Sequence, residues 1–405
     1  MTPHWARMRK SALTAVLVLA VAACGNGTPP PDTGEEGVAD APSPAAPDDP
    51  GDDEPDDPGD DDPEPVEDPA DPTDDPDQAD GGDVEVEVTD VATGLDAPWD
   101  VAFLEGRAFV TQRDTGEVLE IDDGNAEAVA TFDVDATSEG GLLGLTAGPD
   151  AEWLYAYYTG AQDNRIVRFH PDDDAEPEVV FEEIPAAATH NGGRILFGPD
   201  DQLYVGTGDA QDEQAAQDPS SLAGKILRLT PDGEVPDDNP TDGSPVYSLG
   251  HRNVQGLAFD PDGTLYASEF GPEVDDEVNL IEPGGNYGWP EVTGAADHPD
   301  YLDPIFVRQP DEGSWSGLAL LTDGAMPEWE GDLFLASLRG ERMWRMGLDG
   351  GQVADDEEFW AGEYGRLRQV KQAPDGELWV LTNNTDGRGE PAESDDRILR
   401  LGPPE

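Results

Sequence analysis

Five histidines occur in this 405-residue chain, and His190 stands in the stretch Thr-His-Asn-Gly-Gly-Arg, a glycine-rich approach to a strand. An imidazole placed there can serve as a turn residue, a metal ligand or a catalytic base. The other four, His4, His170, His251 and His298, have no ligand spacing for zinc, so no transition-metal site is expected. Further polar residues sit where apolar alternation breaks: Gln112, Asp209, Arg252, Asn253, Glu269, Arg339, Arg366 and Arg368. Basic residues are scarce, 18 against 69 acidic ones in residues 84–405. Arginines recurring at equivalent places therefore predict one of two things: a basic pocket for an anionic small molecule, or guanidinium–carboxylate pairs between structural units.

Residues so far apart in sequence need a scaffold that gathers them, and a repeated phrase supplies one. An apolar strand, a Pro-Asp-Gly type turn and a strand carrying an aromatic recur in residues 148–160, 198–209, 260–271 and 373–384, with looser copies in 101–113 and 326–340. Phe109, Tyr155, Tyr204, Tyr266, Phe334 and Trp379 mark six units, most of them followed by a further strand such as Asn-Arg-Ile-Val-Arg-Phe. Short alternating strands without a long helical period predict an all-β fold, a six-bladed propeller of four-stranded antiparallel blades. A β-sandwich or a pair of barrels is the alternative. Strands ahead of the first anchor allow the two chain ends to share a blade and close the ring, and loops at one end of such a ring converge on one site.

The first 83 residues read differently. Arg7, Arg9 and Lys10 precede an apolar run from Ala12 to Ala23 that is too short to span a bilayer, and Val-Ala-Ala-Cys-Gly follows the pattern of a bacterial lipobox. Residues 1–23 are thus expected to be a lipoprotein signal peptide and Cys24, the only cysteine, a lipidation site. Residues 24–83 are rich in Pro, Asp and Glu with hardly a large apolar residue, which predicts a disordered spacer before a propeller domain at 84–405. The expectation is an exported protein, lipid-anchored to the outer face of the cell membrane and touching the membrane only through that anchor. A formal net charge of −71 argues against nucleic acid or anionic lipid as partners. Adaptation to high salt is its simplest account.

The stretches HNGGRILFGPDDQLYVGTGDA, LAGKILRLTPDGEVPDDNP, YSLGHRNVQGLAFDPDGTLYASEFGPEVDDEVNLIEPGGNYGWP and GRLRQVKQAPDGELWVLTN resemble, in that order, the soluble quinoprotein glucose dehydrogenase and aldose sugar dehydrogenase family, also called glucose/sorbosone dehydrogenases. The likeness runs over nearly all of residues 91–401. It implies a six-bladed propeller that binds pyrroloquinoline quinone (PQQ) and calcium over the channel mouth. By position it makes His190 the base that takes the proton of a sugar's anomeric hydroxyl, and Asp209 the carboxylate paired with it. Gln112 matches a contact to the reacting end of the cofactor, and Arg252 with Asn253 the pair that reaches the quinone oxygens. Arg339, Arg366 and Arg368 match the residues that hold the cofactor's carboxylates, and Trp315 a ring over its face. Gly271 and Pro272 match backbone-carbonyl ligands of the active-site calcium, Glu277 and Tyr287 a structural calcium site.

The implied reaction is oxidation of an aldose to its lactone, hydride passing to the quinone while His190 removes the proton. A reduced quinone implies an electron acceptor, either in a membrane chain or as a soluble carrier. Two departures keep the sugar open: Thr189 precedes the histidine where the soluble glucose dehydrogenases carry an acid, and the segment from Asp209 to Gly224 is shorter. A calcium-dependent lactonase and a non-catalytic ligand-binding propeller are the rival readings.

Overall fold

The computed structural model describes residues 85–173 and 175–404. The expected signal peptide, Cys24 and the acidic spacer lie outside the described residues. Strand β1 (Glu87–Thr93) comes first, followed by a blade of β2 (Pro98–Leu104), β3 (Arg107–Gln112), β4 (Glu117–Asp122) and β5 (Asn125–Thr131). The second blade is β6 (Leu142–Ala147), β7 (Leu154–Thr159), β8 (Asn164–Phe169) and β9 (Glu178–Ile184). The third is β10 (Ile195–Phe197), β11 (Leu203–Gly206), β12 (Lys225–Leu229) and β13 (Val246–Leu249). The fourth is β14 (Val254–Phe259), β15 (Leu265–Glu269), β16 (Asp276–Ile281) and β17 (Phe306–Arg308). The fifth is β18 (Trp315–Leu320), β19 (Leu333–Ser337), β20 (Arg342–Asp349) and β21 (Gln352–Phe359).

The sixth blade closes the ring. It contains β22 (Leu367–Gln372), β23 (Leu378–Thr382) and β24 (Arg397–Gly402), with β1 as its outer strand, antiparallel to β24 from Glu87↔Gly402 to Thr93↔Arg397. The first strand of each complete blade adjoins that of the next, and β22 adjoins β2. The six-bladed expectation therefore holds, and among the described residues only two short 3-10 turns interrupt the strands.

The six aromatic anchors all fall on the second strand of their blades, five of them after short turns and Phe334 after a longer loop that carries the 3-10 turn Pro327–Trp329. Gly263 (φ +88°) and Gly376 (φ +87°) supply the left-handed backbone that two of these turns demand. Each side chain then points into the seam with the next blade. Tyr155 meets Phe197 edge-on at 4.9 Å, Tyr204 meets Phe259 at 5.0 Å, and Trp379 meets Phe103 at 5.1 Å, which joins the last blade to the first. Phe109, Tyr155, Tyr204, Tyr266 and Phe334 are buried, while Trp379 is half-buried. These aromatics join Leu, Val, Ile and Ala side chains in the buried apolar clusters.

Polar groups also bridge the innermost strands. Arg194 pairs with Asp100 of β2 at 2.6 Å and lies over the Trp99 ring, and Gln369 of β22 donates to Asp100 at 2.6 Å. These bonds tie β2 to β22 and to the residue ahead of β10.

Candidate active site

His190 lies between β9 and β10 in a left-handed conformation, φ +60°. Its carbonyl accepts the Ala210 N–H at 3.2 Å and lies so close to Gly208 that a Cβ there would stand 1.9 Å from the oxygen. Glycine at 208 is therefore required for His190 to keep its place. The imidazole Nδ1 is 2.8 Å from Asp209 Oδ1. Asp209 is fully buried, and its oxygens also accept the Gln211 N–H and Trp289 Nε1–H, both at 2.9 Å. Burial alone would raise its pKa, but the bond and charge of His190 and these two donors together bring it below the usual carboxylate range. An ionised Asp209 fixes the proton on Nδ1 and leaves Nε2 as the basic nitrogen.

A cavity of about 260 Å³ opens beside this pair. His190, Arg252, Gly271, Pro272, Arg339 and Arg366 all line it. Arg252 donates through Nη1 to the Phe270 carbonyl at 3.1 Å and sits over the Trp289 ring. Its Nε is buried without a partner, and burial depresses its pKa despite the fields of Asp209 and Glu139. Arg366 reaches Asp386 at 3.0 Å, and its Nε is likewise buried and unpaired. Arg339 is exposed on the cavity wall. Of the recurring arginines, Arg366 thus pairs with a carboxylate of its own blade and still keeps its Nε unpaired, as Arg252 does, while the carboxylate pairs of Arg168 with Glu178 and Arg345 with Asp332 lie within single blades.

Four expected cofactor contacts do not reach the cavity wall. Gln112 spends its amide on the Asp96 N–H, Thr115 and Glu117 at the end of its own hairpin. Trp315 is fully buried in the seam between blades four and five, stacked on Phe306 at 5.4 Å, so it is a core tryptophan and not a ring over a ligand. Arg368 is buried to one side, its guanidinium taken up by Asn383, Gln255 and Ser316, and burial lowers its pKa to about 9. Asn253 is also outside the wall; its Oδ1 accepts the Gly192 N–H at 2.9 Å and its Nδ2 has no partner.

Glu277 and Tyr287 meet in a separate small cavity of about 10 Å³, roughly the room one water or ion needs. Glu277 and Glu269 share the Asn279 Nδ2 as donor, at 3.2 and 3.0 Å. Burial and the charge of Glu269 hold the Glu277 carboxyl well above the usual range. Glu277 also accepts the Gly294 N–H and Glu269 the Arg252 N–H, and two buried carboxylates this close together suit a cation. Beside them His251 is enclosed between Glu269 and Ser248, each at 2.8 Å, and stacks on Tyr287.

Sequence reasoning missed four residues here. Glu139, Asp276 and Arg388 line the main cavity, and Trp289 anchors Asp209 from behind. Asp276 accepts the Gly271 N–H at 2.8 Å and that of Ser314, and burial raises its pKa to about 6. In a chain with 92 acidic residues neither Glu139 nor Asp276 carries a distinguishing signal. Trp289 did have one, in its Asn-Tyr-Gly-Trp-Pro context.

The family described as glucose/sorbosone dehydrogenase matches residues 95–399. The aldose sugar dehydrogenase YliI of Escherichia coli is 31% identical over 331 residues, 72% of this chain and 89% of that protein. Quinoprotein glucose dehydrogenase B of Acinetobacter calcoaceticus is 34% identical over 49% of this chain and 50% of its own length. Among solved structures, the PQQ-bound aldose sugar dehydrogenase of Streptomyces coelicolor is 46% identical, covers 79% of this chain and 98% of its own, and superposes with a TM-score of 0.74.

Proposed function

Because the chain belongs to the glucose/sorbosone dehydrogenase family, we propose that it oxidises an aldose at the anomeric carbon to the lactone, with PQQ as oxidant and His190 as base. The observation that carries this reading is the cavity itself, where a carboxylate-oriented imidazole faces arginines whose buried Nε–H groups lack protein acceptors. Unpaired buried donors are costly unless a ligand satisfies them, and a flat acid with several carboxylates would do so. Arg252, Arg339 and Arg366 would hold that acid, with Asn253 Nδ2 as a further unpaired donor nearby. When bound, the quinone accepts the hydride lost from the sugar.

The chain's own groups manage the proton. His190 Nε2 takes it from the anomeric hydroxyl, and Asp209 stabilises the imidazolium that results. Arg252, always protonated, favours negative charge arising beside it. Calcium would rest on the carbonyls of Gly271 and Pro272, a segment that Asp276 holds through the Gly271 N–H. A second ion would rest on Glu277 and the Tyr287 carbonyl.

An electron acceptor, in a membrane chain or soluble, must reoxidise the cofactor. Export and lipidation at Cys24 would keep the enzyme beside a membrane. The test is reconstitution of purified apoprotein with PQQ and calcium, followed by aldose-dependent dye reduction. His190→Ala should lower turnover about 10²–10⁴-fold. Absence of quinone binding together with absence of reduction by any aldose would reject the reading, and lactone hydrolysis without quinone would favour a lactonase instead.

A further inference from the structure

The base is held by more than its carboxylate partner. The His190 N–H donates to Glu139 Oε2 at 3.0 Å, and the Glu139 N–H donates to the Ala188 carbonyl at 3.0 Å. The loop between β5 and β6 is thereby fastened to the segment that carries His190. A left-handed φ is disfavoured for a residue with a Cβ, and rotation about it would swing the imidazole away from Asp209. The other carboxylate oxygen of Glu139 accepts from Arg388 Nη1 at 3.2 Å.

Arg388 comes from the loop after β23, on the far side of the ring closure. Asp386 in that loop accepts the Arg388 N–H at 2.9 Å and pairs with Arg366 through its second oxygen. A continuous chain of bonds therefore runs from Arg366 through Asp386, Arg388 and Glu139 to the backbone of His190. Glu139, Arg388 and His190 share the cavity wall, and the Arg388 side chain is 48% exposed there, with donors left over.

We propose that Glu139 is a positioning residue, one oxygen holding His190 in its left-handed conformation and the other setting Arg388 on the cavity wall, where it binds sugar hydroxyls. The proposal rests on the reading of His190 as the base. Its two halves separate experimentally because glutamine keeps an acceptor for the His190 N–H but loses the charge that fixes Arg388.

The experiment uses enzyme loaded with PQQ and calcium, with kcat and KM measured on an aldose that the unaltered enzyme oxidises, for Glu139→Ala, Glu139→Gln and Arg388→Ala. Glu139→Ala should lose about 10–100-fold in kcat, the scale expected when a catalytic group is displaced by about 1 Å. Glu139→Gln should recover most of that loss while sharing with Arg388→Ala a KM raised about tenfold, the size of one charge-assisted hydrogen bond. A second readout is the downfield imidazole N–H resonance that His190→Ala abolishes; it should move in Glu139→Ala and stay in the other two variants. Unchanged kcat and resonance in Glu139→Ala, or Glu139→Gln as slow as Glu139→Ala, would overturn the proposal. Full turnover by His190→Ala would instead reject the base assignment itself.

Discussion

His190 and His251 each place Nδ1 2.8 Å from a carboxylate, yet their second ring nitrogens meet different surroundings. His251 has its second nitrogen bonded to Ser248 and no exposure, whereas His190 lines a cavity. The difference lies in surroundings, not in the pair. For Asp209, a folded-state pKa below the ordinary value of about 3.9 means that the unfolded chain binds its proton first on acidification. Its contribution to stability is thus complete at neutral pH and is lost as pH falls through the folded value. Denaturant titrations should show the gap between wild type and Asp209→Asn constant from pH 7 to about 5 and shrinking below about 4. A gap that widens on acidification would contradict the assigned ionised carboxylate.

At the level of elements, β16 and the loop behind it tie the buried carboxylates to the His190–Asp209 pair. Glu277 on β16 accepts the Gly294 N–H at 2.6 Å, and Trp289 in the same loop reaches Asp209. Because the Glu277 carboxyl is held above its ordinary pKa of about 4.3, the folded state keeps a proton that the unfolded chain has released, and stability falls as pH rises above that value. A bound cation should reverse the trend by favouring the ionised form. Thermal unfolding of chelator-treated protein is expected to lose several degrees between pH 5 and pH 8, with calcium restoring them at pH 8 and Glu277→Gln showing little response to calcium. Equal calcium stabilisation of Glu277→Gln would remove Glu277 from the site.

At the scale of the whole ring, 69 acidic against 18 basic residues in 84–405 predict self-repulsion. Salt bridges to the outer-strand arginines occupy a few carboxylates, and the remainder repel one another. Screening shortens from about 10 Å at 0.1 M salt to about 3 Å at 1 M. The unfolding midpoint of the propeller should therefore climb steadily across that range in calorimetry, and a midpoint that falls would argue against self-repulsion as the dominant surface term. Closure adds a separate requirement. Deleting Glu87–Thr93 leaves β24 as a bare edge and should destabilise the ring far more than its seven residues suggest.

Blade number, strand order and ring closure were legible in the sequence because turn chemistry and two-residue alternation are local, and each unit repeats them. His190, Asp209, Arg252, Arg339 and Arg366 could be named for the same reason: they stand where a repeating pattern breaks. What the chain could not announce is which polar groups meet across the ring. Gln112, Arg368 and Trp315 have suitable types and positions but are consumed by neighbours, while Glu139 and Arg388, 249 residues apart, matter only because the closed ring brings them to 3.2 Å. Contact across a ring depends on closure geometry and on competition among many like carboxylates, and neither is written in any one segment.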